Sequence, residues 1–273
     1  MKRVSIIVAL LCFAATAGAT TIAYDGFDFA TGTLNNKGSA SDPGWGGSWN
    51  ASGAWVVDGS LTYGPLMVSG NRFTNIDPQG GANGSPNPKR SYDATEFIPD
   101  GGEVWMSYLV NVVDVAPSTN GTWFGVQQQG NTKLWFGNNA GQSGAPTWGL
   151  EDPRPTNSTV EITPGTHFVV QQVVYDGTTP VKWMWVDPDF STLGGANLNQ
   201  ADAILQNMRG NSGNRLSGAF FAVEDRWSLE VDEYRIGNTF ADVSPVIPEP
   251  LTVAGLILGG GGLAGYLRRR RRV

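Results

Sequence analysis

The chain has 273 residues, with 37 glycines, ten tryptophans, one histidine, one cysteine and only 15% charged residues. This turn-rich, aromatic composition excludes a charged helical protein and a disordered one, and the length suits a single β-sandwich of about 200–250 residues. The net charge is −6, and seven of the 18 Lys and Arg but only one of the 24 Asp and Glu lie in the two chain ends, so the body between them is more acidic still and is no partner for nucleic acid or anionic lipid headgroups.

The chain opens on "MKRVSIIVALLCFAATAGATT", with Lys2 and Arg3, an apolar run from Val4 to Ala15, and the small residues Ala17, Gly18 and Ala19. Such an order predicts a signal peptide over residues 1–19, read by the Sec export machinery and cleaved after Ala19. The run is too short to span a bilayer comfortably. Leu11 precedes Cys12, where lipoprotein processing wants a small residue. Cys12 therefore leaves with the signal, and the exported chain has no disulfide and no thiol chemistry. Its stability must come from core size, which a body of this length can supply.

From residue 20 to 244 the pattern is of short β-prone runs separated by Gly, Pro, Asn and Asp clusters. In "EVWMSYLVNVVDV", Val104, Met106, Tyr108, Val110 and Val112 share one face, with Trp105, Leu109 and Val113 on the other. "TWFGVQQQGNTKLWFG" reads as a hairpin turning near Gly130-Asn131. "THFVVQQVVYDG" is apolar on both faces, as a strand between two layers should be. "VKWMWV" sets Val181, Trp183 and Trp185 on one face; "NLNQADAILQN" alone has helix character; "GAFFAVEDRWSLEVDEYRIG" supplies the last two strands. Breakers come too regularly for βαβ units, so the expectation is all-β, an antiparallel β-sandwich.

Two stretches carry a resemblance. "AYDGFDFATGTLNNKGSASDPGWGGSWNASGAWVVDGSLTY" resembles the first strand and Gly/Trp-rich loop of exported concanavalin A-like (laminin G-like) jelly rolls. "EVDEYRIGNTFADV" resembles the closing strand of that fold, with Asp232, Glu233, Arg235 and Gly237 matching its run. The resemblance implies a jelly roll and leaves activity open, since this fold hosts many functions.

The fold includes glycosidases, which need a facing carboxylate pair. "LEVDEYR" places Glu230 and Asp232 on one face, but the Glu-x-Asp-x-x-Glu pattern of laminarinase-type enzymes is broken by Arg235. His167, the sole histidine, opens an apolar strand, so neither a histidine-based zinc site nor a Ser-His-Asp triad is in prospect. "GGANGSPNPKR" opens no helix and is a loop, not a phosphate cradle. Calcium is the candidate cofactor. Asp25 with Asp28, and Asp187 with Asp189, put hard oxygen ligands in loops, although turn-forming aspartates explain the same residues. In "PGWGGSW", Trp45 and Trp49 are candidate glycan contacts, with core packing as the competing role. No catalytic residue is assigned. An exopolysaccharide is the candidate ligand; a glycoside hydrolase or lyase with an atypical site and a purely structural matrix component are the alternatives.

Residues 245–273 form the last unit. Leu251 to Leu267 is a 17-residue apolar run interrupted by glycines at 255, 259 to 262 and 265. At about 1.5 Å per residue it falls short of the ~30 Å hydrocarbon core, a marginal transmembrane helix. Arg268, Arg269, Arg270, Arg271 and Arg272 hold its end on the cytoplasmic side. Pro248, Glu249 and Pro250 precede it on backbone that cannot be helical. The motif, the short span and the arginine cluster together resemble the PEP-CTERM sorting signal, with Ile247 standing where valine is usual. That resemblance implies cleavage by a membrane-embedded exosortase, a transient inner-membrane intermediate, and a final place at the cell surface or outside the cell.

Overall fold

The computed structural model describes residues 21–80, 87–97, 102–114, 124–129, 135–137, 147–151, 155–175, 180–188, 203–209, 215–223 and 227–245. The expected signal peptide, the motif Pro248, Glu249, Pro250, the span, Arg268 to Arg272, Asp189 and the Gly130-Asn131 turn lie outside the described residues.

Strands follow one another as β1 (Thr21–Asp25), β2 (Gly32–Thr33), β3 (Trp55–Val57), β4 (Arg72–Thr74) and β5 (Lys89–Phe97). Next come β6 (Glu103–Asp114), β7 (Phe124–Gln129), β8 (Trp135–Gly137), β9 (Thr147–Glu151) and β10 (Pro155–Glu161). The series closes with β11 (Gly165–Tyr175), β12 (Pro180–Val186), β13 (Leu205–Arg209), β14 (Arg215–Val223), β15 (Ser228–Gly237) and one helical turn, α1 (Phe240–Val243). The protein is the all-β antiparallel sandwich that its sequence leads one to expect. A large sheet runs β13-β12-β11-β6-β15-β4-β3-β2, with β1 also paired to β15. Two three-stranded sheets, β5-β14-β7 and β10-β9-β8, complete it.

The central strands are apolar on both faces because both are covered. Val104, Met106, Tyr108, Val110 and Val112 of β6 join Val169 and Val173 of β11 in the main core, against Leu216, Ala219 and Phe221 of β14 and Trp148 of β9. Trp105, Leu109, Phe168, Val170, Trp183 and Trp185 face the other way, under Leu61, Leu66 and Val243. Only Val113, expected on that second face, is half exposed at the strand's end.

One sequence expectation changes and another is only partly in view. Among the described residues β7 is laddered to β14 and β8 to β9, while the turn of the expected hairpin lies outside them. The end of "NLNQADAILQN" is strand, since Leu205 pairs with Met184 at the sheet edge, where ladder bonds override a weak helical preference.

β15 holds the most consequential irregularity. Its register moves from Asp232 opposite Leu109 to Arg235 opposite Ser107, so three residues on β15 answer two on β6. This is a β-bulge, and Glu233 sits in it with φ 55°. Leu229 and Val231 before it, and Tyr234 and Ile236 after it, all reach the main core. Strict alternation would have sent Glu233 and Arg235 there instead.

Glycine is required where chains cross closely. Gly44 has φ 80°, and a Cβ there would lie 1.9 Å from the Ile22 carbonyl oxygen. At Gly237 a Cβ would lie 2.3 Å from the Cβ of Asp242, so the glycine lets α1 turn back onto β15. Gly44→Ala should destabilise the fold by about 2–4 kcal/mol, read as a lowered urea midpoint at unchanged slope. An unchanged midpoint would mean the 42–46 segment is not held against β1.

Candidate functional site

The acidic run of β15 is the first place to look for chemistry, and each of its carboxylates is already engaged. Glu230 is bound by Arg72 Nε at 2.8 Å and by Asn111 Nδ2 at 2.8 Å. Asp232 Oδ2 accepts from Ser60 Oγ at 2.5 Å and from the Leu61 N–H at 2.8 Å, and its Oδ1 accepts from the Glu233 N–H at 2.8 Å. Glu233 Oε1 accepts from the Ser69 N–H at 2.6 Å and from the Tyr24 hydroxyl at 3.3 Å, while its Oε2 is ion-paired with Arg235. Arg235 in turn donates to the Met67 carbonyl at 2.7 Å and lies over the Tyr24 ring. Asp232 and Glu233 are fully buried. The bulge places both on one face, where they clasp the 60–69 segment over the sheet.

Burial pushes the Asp232 carboxyl up to about 7; the donors at Ser60 and Leu61 pull the other way, and the Glu233 charge adds to the rise. Burial likewise raises Glu233 against the pull of Arg235. A raised carboxyl can mark a general acid. Here no oxygen of Asp232 reaches solvent or a partner carboxylate, and its role is to hold a loop.

The tryptophan-rich loop corrects a second expectation. Trp45 and Trp49 are fully buried, so neither offers a face to a sugar. Trp49 Nε1 donates to Asp25 Oδ2 at 2.8 Å and Trp45 Nε1 to the Tyr24 carbonyl at 2.8 Å. Trp45 packs on Trp49, Tyr92 and Tyr234 with ring centroids 5.4 to 6.1 Å apart. The hub is Arg90, which the sequence leaves at the end of a loop. Its guanidinium donates to Asp25 at 2.6 Å, to the carbonyls of Gly47 and Ser39, and to Asp42, and stacks 4.5 Å from the Trp45 ring centroid.

The calcium candidates within the described residues, Asp25, Asp28 and Asp187, form no metal cluster. Asp25 is buried on Arg90, and burial raises its carboxyl despite that partner, whereas Asp28 is exposed. Asp187 binds His167 Nδ1 at 2.7 Å and the Phe168 N–H at 2.9 Å, which joins the ends of β11 and β12. The other histidine nitrogen meets the Thr163 carbonyl at 2.8 Å. Burial works against charge on His167, but these two contacts and the Asp187 charge outweigh it and raise its pKa. Among the described residues no three Asp, Glu, His or Cys side chains gather as a metal site.

A groove of 490 Å³ opens beside β1, lined by Tyr24, Met67, Ser69, Arg235 and Asp242 among others. Sequence reasoning misses it because its residues come from four separate stretches. Tyr24, Arg235 and Asp242 stand in the two stretches that carry the jelly-roll resemblance, but nothing in those stretches brings them together.

No protein-family model and no curated protein matches the chain. Solved structures of low identity do. Domain 4 of an extracellular arabinanase from Geobacillus stearothermophilus, in complex with arabinotriose, is 12% identical over 81% of this chain and 93% of that one, with a TM-score of 0.40. The globular domain of T. cruzi calreticulin is 11% identical over 82% and 90%, with a TM-score of 0.41. A β-1,3-glucanase from Mycobacterium marinum is 12% identical over 80% and 99%, also at 0.41. None of these likenesses carries an activity across to this chain.

Because burial raises Asp232, the stability it contributes is fully present below the ordinary carboxylate pKa of about 4 and is lost as pH rises through about 7. The melting temperature should therefore fall from about pH 5 to about pH 8, and Asp232→Asn should flatten that slope. A slope unchanged in the variant would place the titration elsewhere. Arg90→Met leaves Asp25 and Trp49 facing an uncompensated charge and should cost about 3–5 kcal/mol in urea unfolding, with part recovered in the Arg90→Met, Asp25→Asn double variant.

Proposed function

We propose that this chain is an exported, non-catalytic β-sandwich that serves as a polysaccharide-binding module at the cell surface or in the surrounding matrix. It is delivered by the signal peptide, held briefly by the span at 251–267, and released by an exosortase-type enzyme acting at Pro248, Glu249 and Pro250. The observation that carries the non-catalytic reading is the engagement of the acids on β15. Glu230, Asp232 and Glu233 are the carboxylates a glycosidase of this fold would want, and each is bound by a cation or by several donors. A general acid or nucleophile needs a carboxylate open to substrate. The acidic body supports an uncharged polymer over an acidic one as the ligand.

Delivery is tested in a host that expresses a matching exosortase. The parent chain should leave the membrane fraction and accumulate outside in shortened form, while Glu249→Ala should stay at full length in the membrane. Equal release of the two would overturn the sorting reading. For binding, the purified chain should be retained by at least one neutral polysaccharide on an array and should release no reducing sugar from it. Sugar release abolished by Asp232→Asn would make the chain a hydrolase instead.

A further inference from the structure

The groove beside β1 brings together two charged side chains of opposite sign, each with an atom left over. Arg235 is 5% exposed, and its Nη1 has no hydrogen-bond partner, the Glu233 and Met67 contacts both falling on Nη2. Asp242 is 3% exposed; its Oδ2 accepts from the Asn238 and Thr239 N–H groups at 2.9 and 2.8 Å, and its Oδ1 has no partner. An unsatisfied buried polar atom costs about 1–3 kcal/mol, and more when charged, so two beside one groove are unusual.

Apart from Thr21 and Ser69 the rest of the lining is largely apolar, and part of it stands open to solvent. Met67 is 50% exposed and the Tyr24 ring 38%, and Pro43 and Pro245 add further walls. Ser69 stands at the rim and bonds the Tyr24 hydroxyl at 2.9 Å. At 490 Å³ the groove falls within the roughly 300–1,000 Å³ of small-ligand sites.

We propose that this groove binds a ring of a neutral saccharide, a small side-chain shift opening Arg235 Nη1 and Asp242 Oδ1, both closed to solvent here, to adjacent hydroxyls while the C–H face lies on Tyr24 and Met67. This rests on the reading of the domain as a polysaccharide-binding module and gives that reading a location. The chemistry selects the ligand class. A guanidinium can only donate and a carboxylate can only accept, whereas a hydroxyl does both, so a pair of hydroxyls serves both atoms without bringing charge. Charge itself is already compensated, on Arg235 by Glu233 and on Asp242 by two backbone N–H groups. Only hydrogen-bonding capacity is left unmet. An anionic sugar would meet Asp242, a cation would meet Arg235, and a zwitterion would have to desolvate two further charges. The apolar walls suit the hydrocarbon face of a sugar, which packs on aromatic and thioether surface.

The test uses the full chain in a sugar-free detergent, with cellobiose, maltose and mannobiose as neutral probes, glucuronate as an anionic probe and glycylglycine as a zwitterionic one. Binding is read by saturation-transfer NMR and calorimetry. One or more of the disaccharides should bind, and glucuronate and glycylglycine should not. Met67→Arg fills the groove from a half-exposed position that uses only its backbone in hydrogen bonds. Asp242→Asn keeps an oxygen for the helix cap but turns the unpaired acceptor into a donor. Each should weaken disaccharide binding by about tenfold or more at an unchanged melting temperature. Disaccharide binding untouched by Met67→Arg would overturn the groove and leave the polysaccharide reading standing. Retention on a polysaccharide array without binding of any disaccharide would do the same. No binding of the chain to polysaccharide or disaccharide would overturn both. Groove-dependent binding of glycylglycine alone would replace the saccharide with a zwitterion.

Discussion

One extra residue in β15 determines what the two faces of the large sheet can be. β15 pairs with β1, β4 and β6, so an error of parity there would reach most of the sandwich. Glu233 adopts φ 55°, which costs a non-glycine residue on the order of 1–3 kcal/mol, and in return Tyr234 and Ile236 enter the main core. Asp232, Glu233 and Arg235 are thereby gathered on the opposite side. The strain is held because the carboxylates it exposes are met at once by Ser60, Leu61, Ser69 and Arg235. Those contacts fasten the 60–69 segment, whose Leu61 and Leu66 close the second core.

A comparable economy governs the loop packed beside β1 and Tyr234. Arg90 binds two aspartates and two carbonyls and carries Trp45 on its guanidinium face. A long irregular loop of small residues thus becomes a wall of the main core rather than a ligand platform. With one cysteine in the sequence and so no disulfide within the chain, a buried ion-pair hub and stacked rings do the fastening that cross-links do in disulfide-rich domains. The strongly perturbed carboxyls of this protein therefore report construction. Perturbed carboxyls often mark catalytic sites, and here their partners fasten a loop to a strand.

The groove is a by-product of the same bulge. Arg235 reaches it because parity has turned, and Asp242 reaches it because Gly237 lets α1 fold back. Pro245, at the end of the sandwich, forms part of its wall. The groove thus lies where the described chain ends at Pro245.

Much of the fold is legible in the residues. Alternation in 103–115 assigns both faces of β6 almost side chain by side chain, and the doubly apolar run at 166–175 gives the buried centre of the sheet. Three-dimensional choices are not legible in this way. Trp45 and Trp49 have the composition of a sugar platform, but a chain crossing at Gly44 and the charge of Arg90 bury them. "DEYR" has the look of a simple alternating strand, yet a residue in the left-handed region inverts its second half. Sequence by itself determined the class of fold and the two-sided burial of its central strands, since both depend on local periodicity. Tertiary structure alone decided which carboxylates are locked, which aromatics are hidden and where a ligand could enter, because those depend on segments more than a hundred residues apart meeting at one strand.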